Sequence, residues 1–215
     1  MLFLKDKLLF FSVFLFWEFF LISFLLIYPK GEEFFFLDPF HNAYFDIFFK
    51  MITFLGDWPA YLIAFCYFFP KYKLKGILLV CALSILVPLS SHLTKSYFKH
   101  PRPGLYFKNK MEFQELHHIE GVKLHEGLSS FPSGHTLSAF AVFSLLAFFT
   151  RNKWLLTLSF LMIAIGVGIS RIYLLQHFVE DVLFGAFLGV LLALIIYFFS
   201  ALIILPGAQS FQGKG

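Results

Sequence analysis

Three short blocks, Lys95-x6-Arg102-Pro103, Pro132-Ser133-Gly134-His135 and Ser170-Arg171-x5-His177-x3-Asp181, hold the residues of this chain that could do chemistry. They place three cations, two imidazoles and a carboxylate in a chain that is otherwise mostly apolar. A charge in hydrocarbon is costly and seldom kept without a use. The set suits the holding of a phosphate while a histidine attacks it. His177 and Asp181 are four residues apart, so on a helix they share a face and touch. A carboxylate that accepts from one ring nitrogen fixes the tautomer and leaves the other nitrogen free as a nucleophile. The same logic orders a serine-protease triad. His135 follows Ser133 and Gly134 at a helix start, where free backbone amides and the helix dipole favour an anion. Ser133 can add a hydroxyl donor, and Gly134 lets the backbone approach closely. Lys95, Arg102 and Arg171 would neutralise the phosphate and the charge spread over its equatorial oxygens. With these cations present no metal is required, and no carboxylate cluster of metal-binding type lies near the blocks. His135 is the donor at hand for the departing alkoxide, a role worth about 10²–10⁴-fold.

The elements that must position these residues follow from composition. The chain has 215 residues, 59% hydrophobic and 14% charged, with 34 Phe and a mean hydropathy of +0.79. A soluble domain would be nearer a quarter charged. The expectation is therefore an all-α polytopic membrane protein, a single domain over residues 1–215. The net charge of +4 is scattered through short loops, which argues against a nucleic-acid partner. Cys66 and Cys81 lie in apolar stretches without metal-ligand spacing, and are expected as small interior packing residues with no disulfide.

Apolar runs long enough to span cover 8–28, 76–94 and 182–205. Two shorter ones, 134–149 and 154–169, span if flanking polar residues cap them at the interface. The first run is longer than a signal-peptide core and lacks a small-x-small cleavage site, so it is expected to stay as the first transmembrane helix. Between 42 and 55 the polar residues Asn42, Asp46, Lys50 and Thr53 recur every three or four positions and share one helical face. That pattern predicts an amphipathic helix in the membrane surface, followed by a second crossing from Trp58 to just before Lys71. The total is about six crossings. Lys5 and Lys7, then Lys71, Lys73 and Lys75, then Arg151 and Lys153 fall on one side, which the positive-inside rule makes cytoplasmic. Antiparallel succession brings all three blocks to the opposite, outer surface. The loop 97–131 mixes Lys99, Arg102, Lys108, Lys110 and Lys123 with Glu112, Glu115, Glu120 and Glu126.

The three blocks, in order and complete at every defining position across 95–181, resemble the signature motifs of the type 2 phosphatidic acid phosphatase family, whose site is shared with vanadium haloperoxidases and glucose-6-phosphatase. A lone Pro-Ser-Gly-His would be weak evidence; three ordered blocks are very specific. The resemblance implies a six-helix bundle and a metal-independent phosphatase working through a phosphohistidine. It implies His177 as nucleophile, Asp181 as its partner and His135 as general acid, with Lys95, Arg102, Ser133, Gly134 and Arg171 holding the phosphate. Haloperoxidase activity is disfavoured because those relatives are soluble.

Singly, a Lys or Arg at a helix end is an anchor that snorkels, and an intramembrane His is a helix–helix hydrogen bond; the complete set overrides both readings. His92, His100, His117, His118 and His125 give no tidy metal spacing. Glu18, deep in the first helix, needs a partner or a cavity. Glu180 is read as structural, and Tyr28, Trp58 and Trp154 as aromatic-belt anchors. The expected activity is hydrolysis of a lipid phosphate or pyrophosphate at the outer face of a bacterial-type inner membrane, with cytoplasmic termini. No cofactor and no obligate protein partner are expected. Undecaprenyl pyrophosphate, phosphatidylglycerol phosphate, phosphatidate and lipid A all present the same reacting group. A phosphotransferase would use the same residues, whereas a transporter or catalytically dead binding protein would leave the nucleophile, acid and partner unexplained, and the sequence shows no paired broken helices of transporter type.

Overall fold

The computed structural model describes residues 2–108, 113 and 115–204. Lys110 and Glu112 of the long loop, and the end of the last expected crossing at 205, lie outside them. The described residues form helices α1 (Leu2–Ile27), α2 (Glu32–Leu37), α3 (Ala43–Ile52), α4 (Trp58–Tyr72), α5 (Leu74–Phe98), α6 (Pro103–Tyr106), α7 (Gly134–Phe149), α8 (Trp154–Tyr173) and α9 (Val179–Ile204), with 3₁₀ turns at Asp38–Phe40 and Thr53–Gly56. No strand occurs among them.

Length and apolarity suit α1, α5, α8 and α9 to crossing a membrane, since about 20 apolar residues cover a hydrocarbon core. Helices α3 and α4 meet at 59° across the turn between them and together pass the same test. The break occurs where Asp57 caps α4 through its own side chain, accepting from the Trp58 N–H at 2.9 Å. Helix α7 has only 16 residues. It is the central helix, with Thr136 through Phe148 all buried, and the longer helices pack around it.

Backbone proximity sets the register of this packing. Gly185 and Gly189 of α9 face α7 so closely that a Cβ on either would stand 2.9 Å from the Ser133 carbonyl oxygen or 2.6 Å from that of Leu137. Small residues four apart allow such an approach between membrane helices. Asp181 lies one turn before Gly185 on the same face, so the close contact delivers it to Ser133, whose N–H donates to the Asp181 carbonyl at 3.0 Å. At the far end, Lys7 Nζ donates to the carbonyls of Ala147 and Thr150, tying the basic start of α1 to the end of α7.

Cys66 and Cys81 are free, as expected, but exposed rather than interior. A membrane helix is apolar on its outer face too, so an apolar neighbourhood along the chain does not imply burial. Glu18 is buried, and its Oε1 has no partner among the described residues.

The amphipathic segment forms α3, capped by Asn42, whose side chain accepts from the N–H groups of Tyr44 and Phe45. Its apolar residues Tyr44, Ile47 and Met51 face outward. Its polar face turns into the protein: Asp46 accepts from the Tyr173 hydroxyl at 2.6 Å, Lys50 donates to the Glu120 carbonyl at 3.2 Å and Thr53 meets Arg171 at 2.7 Å.

Candidate active site

One end of the bundle gathers all eight expected site residues. Lys95 lies in the last turn of α5 and Arg171 in the last turn of α8. Arg102 precedes α6, and Ser133, Gly134 and His135 begin α7. His177 and Asp181 flank the start of α9. A Cβ on Gly134 would lie 3.6 Å from Lys95 Nζ, so the ammonium sits against the glycine backbone. His135 is within electrostatic range of His177 and of all three cations.

His177 does not begin a helix. It lies in the turn between α8 and α9, where Leu175 adopts a left-handed conformation at φ 54°. The N–H groups of Gln176 and His177 both donate to the Arg171 carbonyl, at 3.0 and 3.1 Å, so the backbone of one site residue fixes the position of another. Contact with Asp181 survives, His177 Nδ1 lying 3.3 Å from Asp181 Oδ2. The reason differs from helical register. Asp181 is the third residue of α9, and its Oδ2 also accepts from the Phe178 N–H at 3.0 Å, the reach-back of a capping box. The helix cap and the contact with His177 thus converge on one oxygen.

Ser130 joins that oxygen, its hydroxyl donating to Asp181 Oδ2 at 2.5 Å and lying 3.4 Å from His177 Nδ1. It is wholly buried and was not singled out from the sequence, although it stands three residues before Ser133. With Nδ1 turned to the Ser130–Asp181 pair, Nε2 is the nitrogen left for reaction. Burial, together with Arg171, Arg102 and Lys95 nearby, holds the His177 imidazole well below the ordinary histidine range, which favours its neutral form. Replacing Ser130 by alanine should lower turnover about tenfold with little change in KM, the loss expected for one buried donor. Steady-state kinetics at fixed pH test this.

The two guanidiniums are held by hydrogen bonds that leave donors over. Arg171, buried, donates from Nη1 to Thr53 Oγ1 at 2.7 Å, while its Nε has no acceptor among the described residues. Arg102 Nε reaches Ser129 Oγ at 3.4 Å, and its buried Nη1 likewise has no acceptor among the described residues. Buried guanidinium N–H groups normally find partners, and a phosphate matches their geometry. Ser133 accepts through Oγ from the Thr136 hydroxyl at 2.8 Å and caps α7, so its own proton is available for donation.

Beside His135 runs a cleft of about 450 Å³, lined by Gly56, Asp57 and Tyr61 on one side, Val87 and Ser91 of α5 on another, and Ser138 of α7. Gly56 lets its turn approach α7 closely, because a Cβ there would stand 2.7 Å from that of His135. On the opposite flank Glu33 accepts from the N–H groups of Gly31 and Val179, at 2.9 and 3.1 Å. Lys30 pairs with Glu180 at 2.5 Å and lies over the Phe178 ring. Together they clamp the turn that carries His177, and Glu180 has the structural role expected of it.

Comparison with known proteins identifies relatives of this chain. The model of the PAP2 superfamily matches residues 73–203. Phosphatidylglycerophosphatase B of Bacillus subtilis (strain 168) is 43% identical over 77 residues, 32% of this chain and 38% of that protein. The bacitracin transport permease protein BcrC of Bacillus licheniformis is 38% identical over 95 residues, 44% of this chain and 45% of that one. The chain thus spans less than half the length of these relatives. A crystal structure of a transmembrane PAP2 type phosphatidylglycerolphosphate phosphatase from Bacillus subtilis superposes with a TM-score of 0.65 at 24% identity, over 89% of this chain and 96% of that one. This likeness shows a shared fold.

Proposed function

This chain belongs to the PAP2 superfamily, and from that premise we propose that it is a multi-pass membrane phosphatase that removes phosphate from a lipid through a phosphohistidine at His177. The observation that carries the reading is the convergence of the Ser130 hydroxyl, His177 Nδ1 and the Phe178 N–H on Asp181 Oδ2, at the same end of the bundle as buried guanidinium donors that have no acceptor among the described residues.

The reaction proceeds in two displacements. Lys95, Arg102 and Arg171 hold the phosphoryl oxygens, with the Ser133 hydroxyl and the amides at the start of α7. The neutral Nε2 of His177 attacks phosphorus, and the positive charge gained by the ring is stabilised by Asp181 across Nδ1. The bond to the lipid oxygen breaks, and His135 gives that oxygen its proton. Water then attacks phosphorus while giving a proton to His135, the bond from phosphorus to His177 Nε2 breaks, and inorganic phosphate leaves. The charge that builds on the equatorial oxygens is met by the three cations throughout.

The cleft beside His135 suits the lipid side of the departing oxygen, because its walls belong to helices whose other faces meet the bilayer. The basic end marked by Lys7 then lies in the cytoplasm under the positive-inside rule, with the site at the outer surface and about six crossings in one domain. Phosphatidylglycerol phosphate, undecaprenyl pyrophosphate, phosphatidate and lipid A phosphates are the substrate classes to compare. Purified protein should release inorganic phosphate from at least one of them in detergent. Labelled phosphate appearing on another lipid or sugar hydroxyl would identify phosphotransfer. No release from any of them would contradict the reading.

His135→Ala should lower kcat about 10³-fold, within the range of a positioned acid. A substrate whose leaving group needs no proton, such as an aryl phosphate with an acidic phenol, should recover most of that loss. Equal losses on both substrates would remove His135 from the role of acid.

A further inference from the structure

We propose that His41, Asp46 and His117 form a binding site for one zinc-class divalent cation at the active-site end of the bundle, separate from the catalytic histidines. His41 Nδ1 lies 3.1 Å from Asp46 Oδ1, and His117 Nε2 lies 3.2 Å from Asp46 Oδ2. All three ligand atoms fall within 4.8 Å of one another. Tetrahedral zinc with bonds of about 2.0–2.1 Å needs its ligands about 3.4 Å apart. Each imidazole is already near that value from one oxygen of Asp46, His41 from Oδ1 and His117 from Oδ2, and rotation of the half-exposed His117 ring lets both meet one ion.

The surroundings have the form that orients metal ligands. The Tyr173 hydroxyl donates to Asp46 Oδ1 at 2.6 Å, and Asp38 Oδ1 accepts from the His117 N–H at 2.8 Å. Outer contacts of this kind fix a ligating carboxylate and the backbone of a ligating histidine. The His41 ring packs on Tyr173 with centroids 4.0 Å apart. Two imidazoles and one carboxylate suit zinc and leave a fourth position for water; magnesium and calcium require oxygen ligands.

Occupancy would join three pieces of chain. His41 precedes α3, Asp46 lies in its first turn, and His117 comes from the long loop. Lys50 already ties the same loop to α3 through the Glu120 carbonyl. The turn that follows α3 supplies the Thr53 hydroxyl that holds Arg171, and Tyr173 is two residues beyond that arginine. The cation would therefore brace the wall on which a phosphate-holding guanidinium rests, without touching the phosphate.

The test uses the full-length protein in detergent, stripped with a chelator, dialysed and titrated with Zn²⁺, with bound metal and melting temperature both recorded. Wild type should take up one equivalent and melt at a higher temperature when loaded, while Mg²⁺ should not raise it. His117→Ala should weaken binding by more than about 100-fold, beyond the usual cost of losing an outer contact, and Tyr173→Phe by about tenfold. His177→Ala and His92→Ala should keep the equivalent, which places it away from the catalytic site and from stray surface histidines. Since His117 is half-exposed, its variant should melt like metal-free wild type. Failure of wild type to bind an equivalent, or undiminished binding by His117→Ala, would overturn the proposal and leave a carboxylate held by hydrogen bonds alone.

Discussion

Replacing His177 by alanine is expected to reduce phosphate release by about 10⁴-fold or more, because the step that breaks the phosphorus–oxygen bond loses its nucleophile. The variant should still fold. The turn is held by the Arg171 carbonyl, which accepts from backbone N–H groups, and the α9 cap is made by Asp181 to the Phe178 N–H; neither uses the imidazole. Substrate affinity should change little, since Lys95, Arg102 and Arg171 remain. Single-turnover kinetics separate the two quantities. A reduction in kcat below tenfold, with unchanged melting, would mean that another group attacks phosphorus.

Asp181→Ala should cost nearly as much, about 10⁴-fold, the scale seen when the acid of a catalytic triad is removed. Asp181→Asn should be milder, about 10²-fold. The Ser130 hydroxyl, His177 Nδ1 and the Phe178 N–H all address Oδ2, so an asparagine carbonyl in that place keeps the tautomer and the cap and loses only the negative charge. The difference between the variants measures orientation against charge stabilisation. In His177→Ala, adding Asp181→Ala should cost almost nothing more, since the two act as a unit. Additive losses would show that Asp181 acts elsewhere. Loss of the cap predicts a further drop in stability of about 1 kcal/mol for the alanine variant alone.

Much of this site was legible from spacing, because antiparallel helices place the end of one crossing beside the start of the next. That rule brought Lys95, Arg102, Ser133, Gly134, His135, Arg171, His177 and Asp181 to one end before any contact was visible. The long apolar runs gave the helices of the bundle in the same way. Interactions between elements far apart in the chain were not legible. The polar face of α3 was recognised, yet an amphipathic pattern does not say whether that face meets water or protein; it meets Arg171, Tyr173 and the long loop. His41 and His117 were not paired because no spacing rule links the start of α3 to that loop. Ser130 was overlooked since a serine in a turn carries no periodic signal. The cysteines were misplaced because apolar sequence describes both a core and a lipid-facing surface. Helical register was also the wrong reason for the His177–Asp181 contact, which comes from a cap.

The most direct measurement is to trap the protein during turnover of a ³²P-labelled lipid phosphate and map the label. Acid-labile, base-stable label on His177, absent from His177→Ala, is the predicted result. Label on His135 or on another side chain, or rapid turnover with no covalent label at any time, would contradict the mechanism.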